Sequence, residues 1–347
     1  MVKETKVRQS NIELLRIILM GMIVVHHLIV HGIGIGTLGN VSGGKQVLVL
    51  FTNAAVVMSV NTFLFISGYF GIQFKLKSLL SLWMQAVFYS LLIGGVFHFW
   101  KGSPFNPVFS AFPISSSLWW YLTNFIGLYL LSPFINKGVE LLSKTQLLLI
   151  VIGLFYFNCV AGSMFRTFGV NDGYSFFSFL FLYLLARYLK TRTGVPSVAL
   201  SLVGYFLCVV FVFLLALFFV KRGRLDLAVQ VFAYNNPLVI AMSVCFFYLF
   251  QQLSFQNKVV NYVSSLVFGV YLIHDHYLVR DLLSSLFRTS TEGVVNLKLI
   301  GFLLWYALLI FASCASVEWL RTCLFKPILE KISKIKAVSD LETNLSN

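Results

Sequence analysis

The chain has 347 residues, of which 59% are hydrophobic and only 11% charged, with a mean hydropathy of +0.87. A soluble domain is usually about a quarter charged, so this composition excludes a soluble globular protein and predicts an all-α, polytopic integral membrane bundle. The net charge of +14 does not indicate nucleic acid, because no basic patch carries interleaved exposed aromatics; it fits lysines and arginines retained in cytoplasmic loops.

Ten apolar segments approach the roughly 20 residues that a helix needs to span a bilayer. The first covers 11–31. Lys3, Lys6 and Arg8 precede it, but it contains Glu13 and Arg16 and no small-x-small cleavage site, so it reads as a retained helix rather than a signal peptide. Gly32, Gly34 and Gly36 follow its end and read as a flexible outer loop, not a nucleotide fingerprint. The remaining segments cover 47–70, 78–99, 118–136, 146–164, 174–190, 197–220, 236–252, 262–284 and 297–325, with Pro133 expected to end or kink the fourth. Residues 1–330 then form one transmembrane domain, and 331–347 a polar cytoplasmic tail too short to fold alone. The five cysteines are scattered, lack Cys-x-x-Cys spacing and read as packing residues; no metal site is expected.

Loop charge orients the chain. With ten spans and the N-terminus inside, sixteen basic residues fall in inner segments and nine in outer ones, which places both termini in the cytoplasm. Lys221-Arg222-Gly223-Arg224 is the exception on the outer face. Either a helix is miscounted nearby or that loop has a ligand.

Arg16 and His27 are the residues that point most directly to function. Eleven steps at about 100° per residue return a helix to within roughly 20° of its start, so the two share one stripe about 16 Å apart. Ionisable groups at that depth face a cavity more often than lipid. A neutral imidazole such as His27 can take a proton from a hydroxyl and return it; the structural alternative is a helix-packing histidine. Arg16 offers a planar fork of donors for an anionic or carbonyl group, or else pairs with Glu13 one turn earlier. His26 points some 80–100° away and is read as a supporting residue. Ser67-Gly68-Tyr69 closes the second segment, where Gly68 permits close backbone approach and Tyr69 an interfacial anchor. Lys75 and Lys77 follow as a cationic mouth for a polyphosphate ligand, or as ordinary positive-inside charge. In Tyr271-Leu-Ile-His274-Asp275-His276, His274 is expected in the polar cavity and Asp275 or His276 at its outer end. Glu318 reads as an intrahelical partner of Arg321, and His98 as interfacial.

These motifs resemble the bacterial membrane acyltransferase-3 family over nearly the whole chain. Arg16-x10-His27 is similar to the family's first-helix signature, and Phe65-Ile-Ser67-Gly68-Tyr69 to its second-helix motif. Trp119-Trp-Tyr121, Leu131-Ser-Pro133 and Tyr271-Leu-Ile-His274 follow in the expected order. The capsule and exopolysaccharide members look most similar, notably around Asn11-Ile-Glu-Leu-Leu-Arg16; relatives usually carry arginine where Lys75 or Lys77 stands. The resemblance implies a multi-pass protein of the bacterial cytoplasmic membrane that moves an acetyl group from cytoplasmic acetyl-CoA to a glycan or lipid-linked oligosaccharide. It implies catalytic roles for His27 and Arg16, with Glu13, His26, Ser67, Gly68, Tyr69, Lys75, Lys77 and His274 binding CoA or lining the cavity. No resident cofactor is implied. His27 would act as a general base or carry the acyl group transiently. A non-catalytic transporter or flippase of glycan precursors is the alternative use of the same intramembrane charge.

Overall fold

The computed structural model describes residues 8–35, 43–167, 169–294 and 297–332, with side chains to 325. Lys3, Lys6, Gly36 and most of the predicted 331–347 tail lie outside the described residues. Among the described residues every regular element is a helix. The α-helices, in chain order, are α1 (Ser10–His27), α2 (Gly43–Val56), α3 (Ser59–Phe70), α4 (Leu76–Lys101), α5 (Pro107–Ala111), α6 (Trp120–Leu141), α7 (Lys144–Phe155), α8 (Gly162–Phe165), α9 (Phe176–Lys190), α10 (Val198–Lys221), α11 (Leu225–Gln230), α12 (Pro237–Gln251), α13 (Lys258–His274), α14 (Tyr277–Ser290) and α15 (Leu297–Ile332). A π-helical turn, Leu28–Ile33, extends α1, and a second, Tyr156–Ala161, joins α7 to α8.

Six stretches are long and apolar enough to cross a membrane by length and composition: Ser10–Ile33, Gly43–Phe70, Leu76–Lys101, Lys144–Phe165, Val198–Lys221 and Leu297–Phe325. Pro237–Gln251 and Lys258–His274 are shorter apolar helices. The predicted segment 262–284 is not continuous. Helix α13 stops at His274, His276 is extended, and α14 starts afresh at Tyr277. The cause is composition: Arg280, Asp281, Ser284, Ser285 and Arg288 make α14 strongly two-faced, and it packs its Phe287 face onto Gly32 of the first π turn.

Of the two outcomes expected at Pro133, the ending does not occur: α6 continues through it to Leu141. Proline has no N–H to give the carbonyl of Tyr129. Ser132 Oγ donates to that carbonyl instead, at 2.7 Å, so no backbone acceptor is orphaned in an apolar setting.

The bundle has two distinct ends. At the cationic end, Ser10 Oγ donates to Asn261 Oδ1 at 2.8 Å and accepts from the Asn257 N–H at 2.9 Å. Asn11 Nδ2 donates to the Phe250 carbonyl at 3.0 Å. These polar ties fix the start of α1 between α12 and α13. At the other end, Arg288 donates to the carbonyls of Gly32 and His31 at 3.0 and 3.2 Å, capping the acceptors that close the first helix. Between the ends, α1 runs through the middle of the packed core, with Leu15, Leu19, Val24 and Ile29 all essentially inaccessible. Glu318 of α15 takes Arg321 at 2.7 Å and the Tyr89 hydroxyl of α4 at 2.6 Å.

Candidate active site

The stripe predicted on α1 exists. Arg16, Met20, Ile23 and His27 fall at successive four-, three- and four-residue steps and together form one wall of a cavity of about 240 Å³. Helix α13 supplies the facing wall at the same spacing, through Ser264, Val267, Phe268, Tyr271 and Asp275. Val60, Phe63 and Ser67 of α3 and the aromatic start of α6, from Trp120 to Phe125, complete it. The lining is mostly apolar or aromatic; its remaining members are Arg16, His27, Ser67, Ser264 and Asp275.

At the cationic end, Arg16 Nη1 lies 3.0 Å from Glu13 Oε1. Glu13 Oε2 in turn accepts from Ser264 Oγ at 2.5 Å. Glu13 therefore stays outside the lining and holds Arg16, which is part of it. Arg16 thus makes the ion pair expected with Glu13 and also stands on the chamber wall.

At the far end, His27 Nδ1 is 3.6 Å from Asp275 Oδ1. The carboxylate is 5% exposed and is held from behind by Arg280 Nη1 at 3.4 Å. A buried carboxylate needs such a partner, since an unpaired charge at this depth costs several kcal/mol. His27 is also ringed by other imidazoles, with centroids 5.1 Å from His274, 5.6 Å from His31 and 6.0 Å from His26. It stands where α1 passes into its π turn, an irregularity that re-aims side chains and is frequent at functional positions.

The remaining predicted residues divide. Ser67 is on the chamber wall. His26 turns away from it and bonds Asn53 of α2, Nδ1 to Oδ1, at 2.7 Å. Gly68 faces α9, where an added Cβ would meet the Tyr183 carbonyl at 2.7 Å, so its smallness serves helix packing. Tyr69 packs at a tilt against Phe247, with ring centroids 4.7 Å apart, and lies under Lys190 Nζ at 5.6 Å. Lys75 and Lys77 are exposed at the start of α4, outside the chamber wall. His274 sits behind His27 with Nδ1 2.7 Å from the Val270 carbonyl. Asp275, not His274, is the member of that motif on the chamber wall, because the last turn of α13 carries position 275 to the same face as Phe268 and Tyr271. His98 Nδ1 bonds the Ser103 carbonyl at 2.9 Å, at the end of α4. In the Lys221–Arg224 loop, α10 ends at Lys221, Arg222 lies over Phe218 at 5.3 Å and Arg224 pairs with Asp226 at 3.1 Å.

Sequence reasoning missed Tyr234 and Ser264, and offered Asp275 only as one of two residues for the outer end. Asp275 carried a signal, as the only acid between 259 and 280. Tyr234 carried a weaker one, the polar run Tyr234-Asn235-Asn236 set against the apolar start of α12.

A profile described as an acyltransferase domain matches residues 9–319, nearly the full helical bundle. The chain belongs to the acyltransferase-3 family. Comparison with curated proteins and with solved structures gave no match. The match covers both walls of the chamber, so Arg16, His27 and Asp275 all lie inside the acyltransferase domain.

Proposed function

We propose that this membrane acyltransferase moves an acetyl group from cytoplasmic acetyl-CoA to a hydroxyl of a cell-surface glycan of capsule or exopolysaccharide type, in the bacterial cytoplasmic membrane. The observation that carries this reading is the shared chamber: a guanidinium at one end, an imidazole backed by a carboxylate at the other, and an apolar passage between them.

The donor enters at the cationic end. Lys75, Lys77 and Lys190 gather there and attract the CoA phosphates. The chamber volume of about 240 Å³ suits a thioester arm with a short acyl group, not the whole cofactor-sized donor. Arg16 takes a carbonyl of that arm. With Nδ1 turned to Asp275, His27 has Nε2 for the substrate. The acceptor oxygen attacks the thioester carbonyl as its proton passes to His27; the C–S bond then breaks and the proton goes to the departing thiolate. Products are the glycan ester and free CoA. Asp275 holds the imidazole in the right tautomer and stabilises its transient positive charge.

Mass spectrometry of surface polysaccharide, from cells with and without the protein, tests the reaction and identifies the acceptor. His27→Ala should abolish O-acetyl while the protein still inserts. Unchanged acetylation in that variant would support a glycan transporter instead. Rapid-quench trapping with labelled donor and no acceptor decides between direct transfer, which leaves no protein label, and an acyl-histidine.

A further inference from the structure

A second and larger cavity, about 580 Å³, opens at the His27 end and takes no part in the steps above. His26, Arg166, Asp172, Tyr174 and Asp226 lie on its walls. Tyr234 lines this basin and the donor chamber alike. One tyrosine therefore borders both spaces.

The backbone of Tyr234 is pinned from both sides. Its N–H donates to the Asp172 carbonyl at 2.9 Å, and its carbonyl accepts from Asn61 Nδ2 at 2.7 Å. Gly173, at φ +95°, presses so close that an added Cβ would meet Tyr234 Cβ at 2.6 Å. The ring is buried among other rings, and its hydroxyl shares a hydrogen bond with the Tyr174 side chain. Its hydroxyl makes a long 3.5 Å contact with His26 Nε2, and its faces rest near Trp120 and Tyr174 at 5.7 and 5.0 Å. With the backbone pinned, any movement of this residue has to come from rotation about its side-chain bonds.

We propose that the basin seats a sugar ring of the acceptor, and that the Tyr234 ring is the movable partition that admits the acceptor hydroxyl to the donor chamber. The proposal rests on the acetyl-transfer reading. A pyranose presents a face of C–H groups and a rim of hydroxyls. Tyr174 and Tyr234 offer negative ring faces to the first; Asp172 and Arg166 offer an acceptor and a fork of donors to the second. The volume lies within the range of small-ligand sites and exceeds a single ring. Because Asp172 and Gly173 clamp the Tyr234 backbone, a sugar gripped by the 171–174 turn bears directly on the partition. While shut, the ring keeps outside water from the thioester.

The test uses the full chain in lipid nanodiscs, acetyl-CoA as donor, and the host's own surface polysaccharide stripped of esters by mild alkali as acceptor. Y234A should raise CoA release without acceptor about tenfold: water attacks the thioester carbonyl, the C–S bond breaks, and acetate and CoA leave. Transfer to polysaccharide should fall in the same variant, and Y234F, which keeps the ring, should restore the seal. D172N should raise the acceptor KM about tenfold while the donor KM holds. D172C, in cells, should react with a membrane-impermeant maleimide added outside and be protected by the stripped polysaccharide. The proposal is overturned if folded Y234A loses CoA release together with transfer, if D172N moves the donor KM alone, or if D172C is unreactive from outside. Should the wild type acetylate no glycan at all, the acetyl-transfer reading fails, and labelling and protection of D172C still decide what the basin holds.

Discussion

His27 and Asp275 come from helices far apart in the chain and meet at 3.6 Å, just beyond hydrogen-bond length and within reach of a small ring rotation. General acid–base assistance is worth about 10²–10⁴-fold, so His27→Ala should lower acetyl transfer by that range in a kinetic assay with protein levels unchanged. Asp275→Asn preserves shape but removes the charge that orients the imidazole; we expect a loss of about tenfold or more in kcat with little change in donor KM. At the other end of the chamber, Arg16→Lys keeps the charge and loses the planar fork. Donor KM should rise while the residual rate stays sensitive to His27, and a drop in kcat with donor KM unmoved would place Arg16 away from the donor.

The elements are locked by small and buried groups. Gly68 of α3 lies against α9, where a methyl group would sit 2.7 Å from the Tyr183 carbonyl and 2.8 Å from Ala186 Cβ. Overpacking of this kind costs about 1–3 kcal/mol, so Gly68→Ala should lower the thermal midpoint in detergent. Gly95 of α4 has no atom within 4 Å of its would-be Cβ. Gly95→Ala should be neutral or stabilising, by up to about 1 kcal/mol from helix propensity. Glu318 is buried and shared by Arg321 and Tyr89. Replacing Arg321 by Ala strands that carboxylate and should cost about 3–5 kcal/mol, far more than Tyr89→Phe, which removes one hydrogen bond worth about 1 kcal/mol. Equal losses in the two variants would show that the ion pair is not the main tie between α15 and α4.

For the whole molecule, the distribution of basic residues predicts that the cationic end lies inside. Single cysteines at Lys75 and at Asp226, on opposite ends of the bundle, report on this directly. An impermeant maleimide added outside intact cells should label the second and spare the first; the reverse pattern would invert the donor and acceptor sides of the chamber. The proposed transfer needs that polarity, because in it donor phosphates and a surface glycan approach from opposite faces, and a chamber open at both ends at once would admit water to the thioester.

Much of this protein was legible in the chain itself. The Arg16–Met20–Ile23–His27 stripe follows from helical period alone, and apolar length placed the helices, because in lipid every backbone group must be satisfied within its own segment. The 262–284 segment was misjudged because an apolar average could hide an amphipathic break, and Pro133 does not end α6 because a serine one residue before it mends the missing bond. Only the tertiary structure decided which stripe faces which. Asp275 became the partner of His27, Gly68 a contact of α9, and Tyr234 the floor of one cavity and the wall of another, since such meetings depend on how separate helices pack and no local period encodes them.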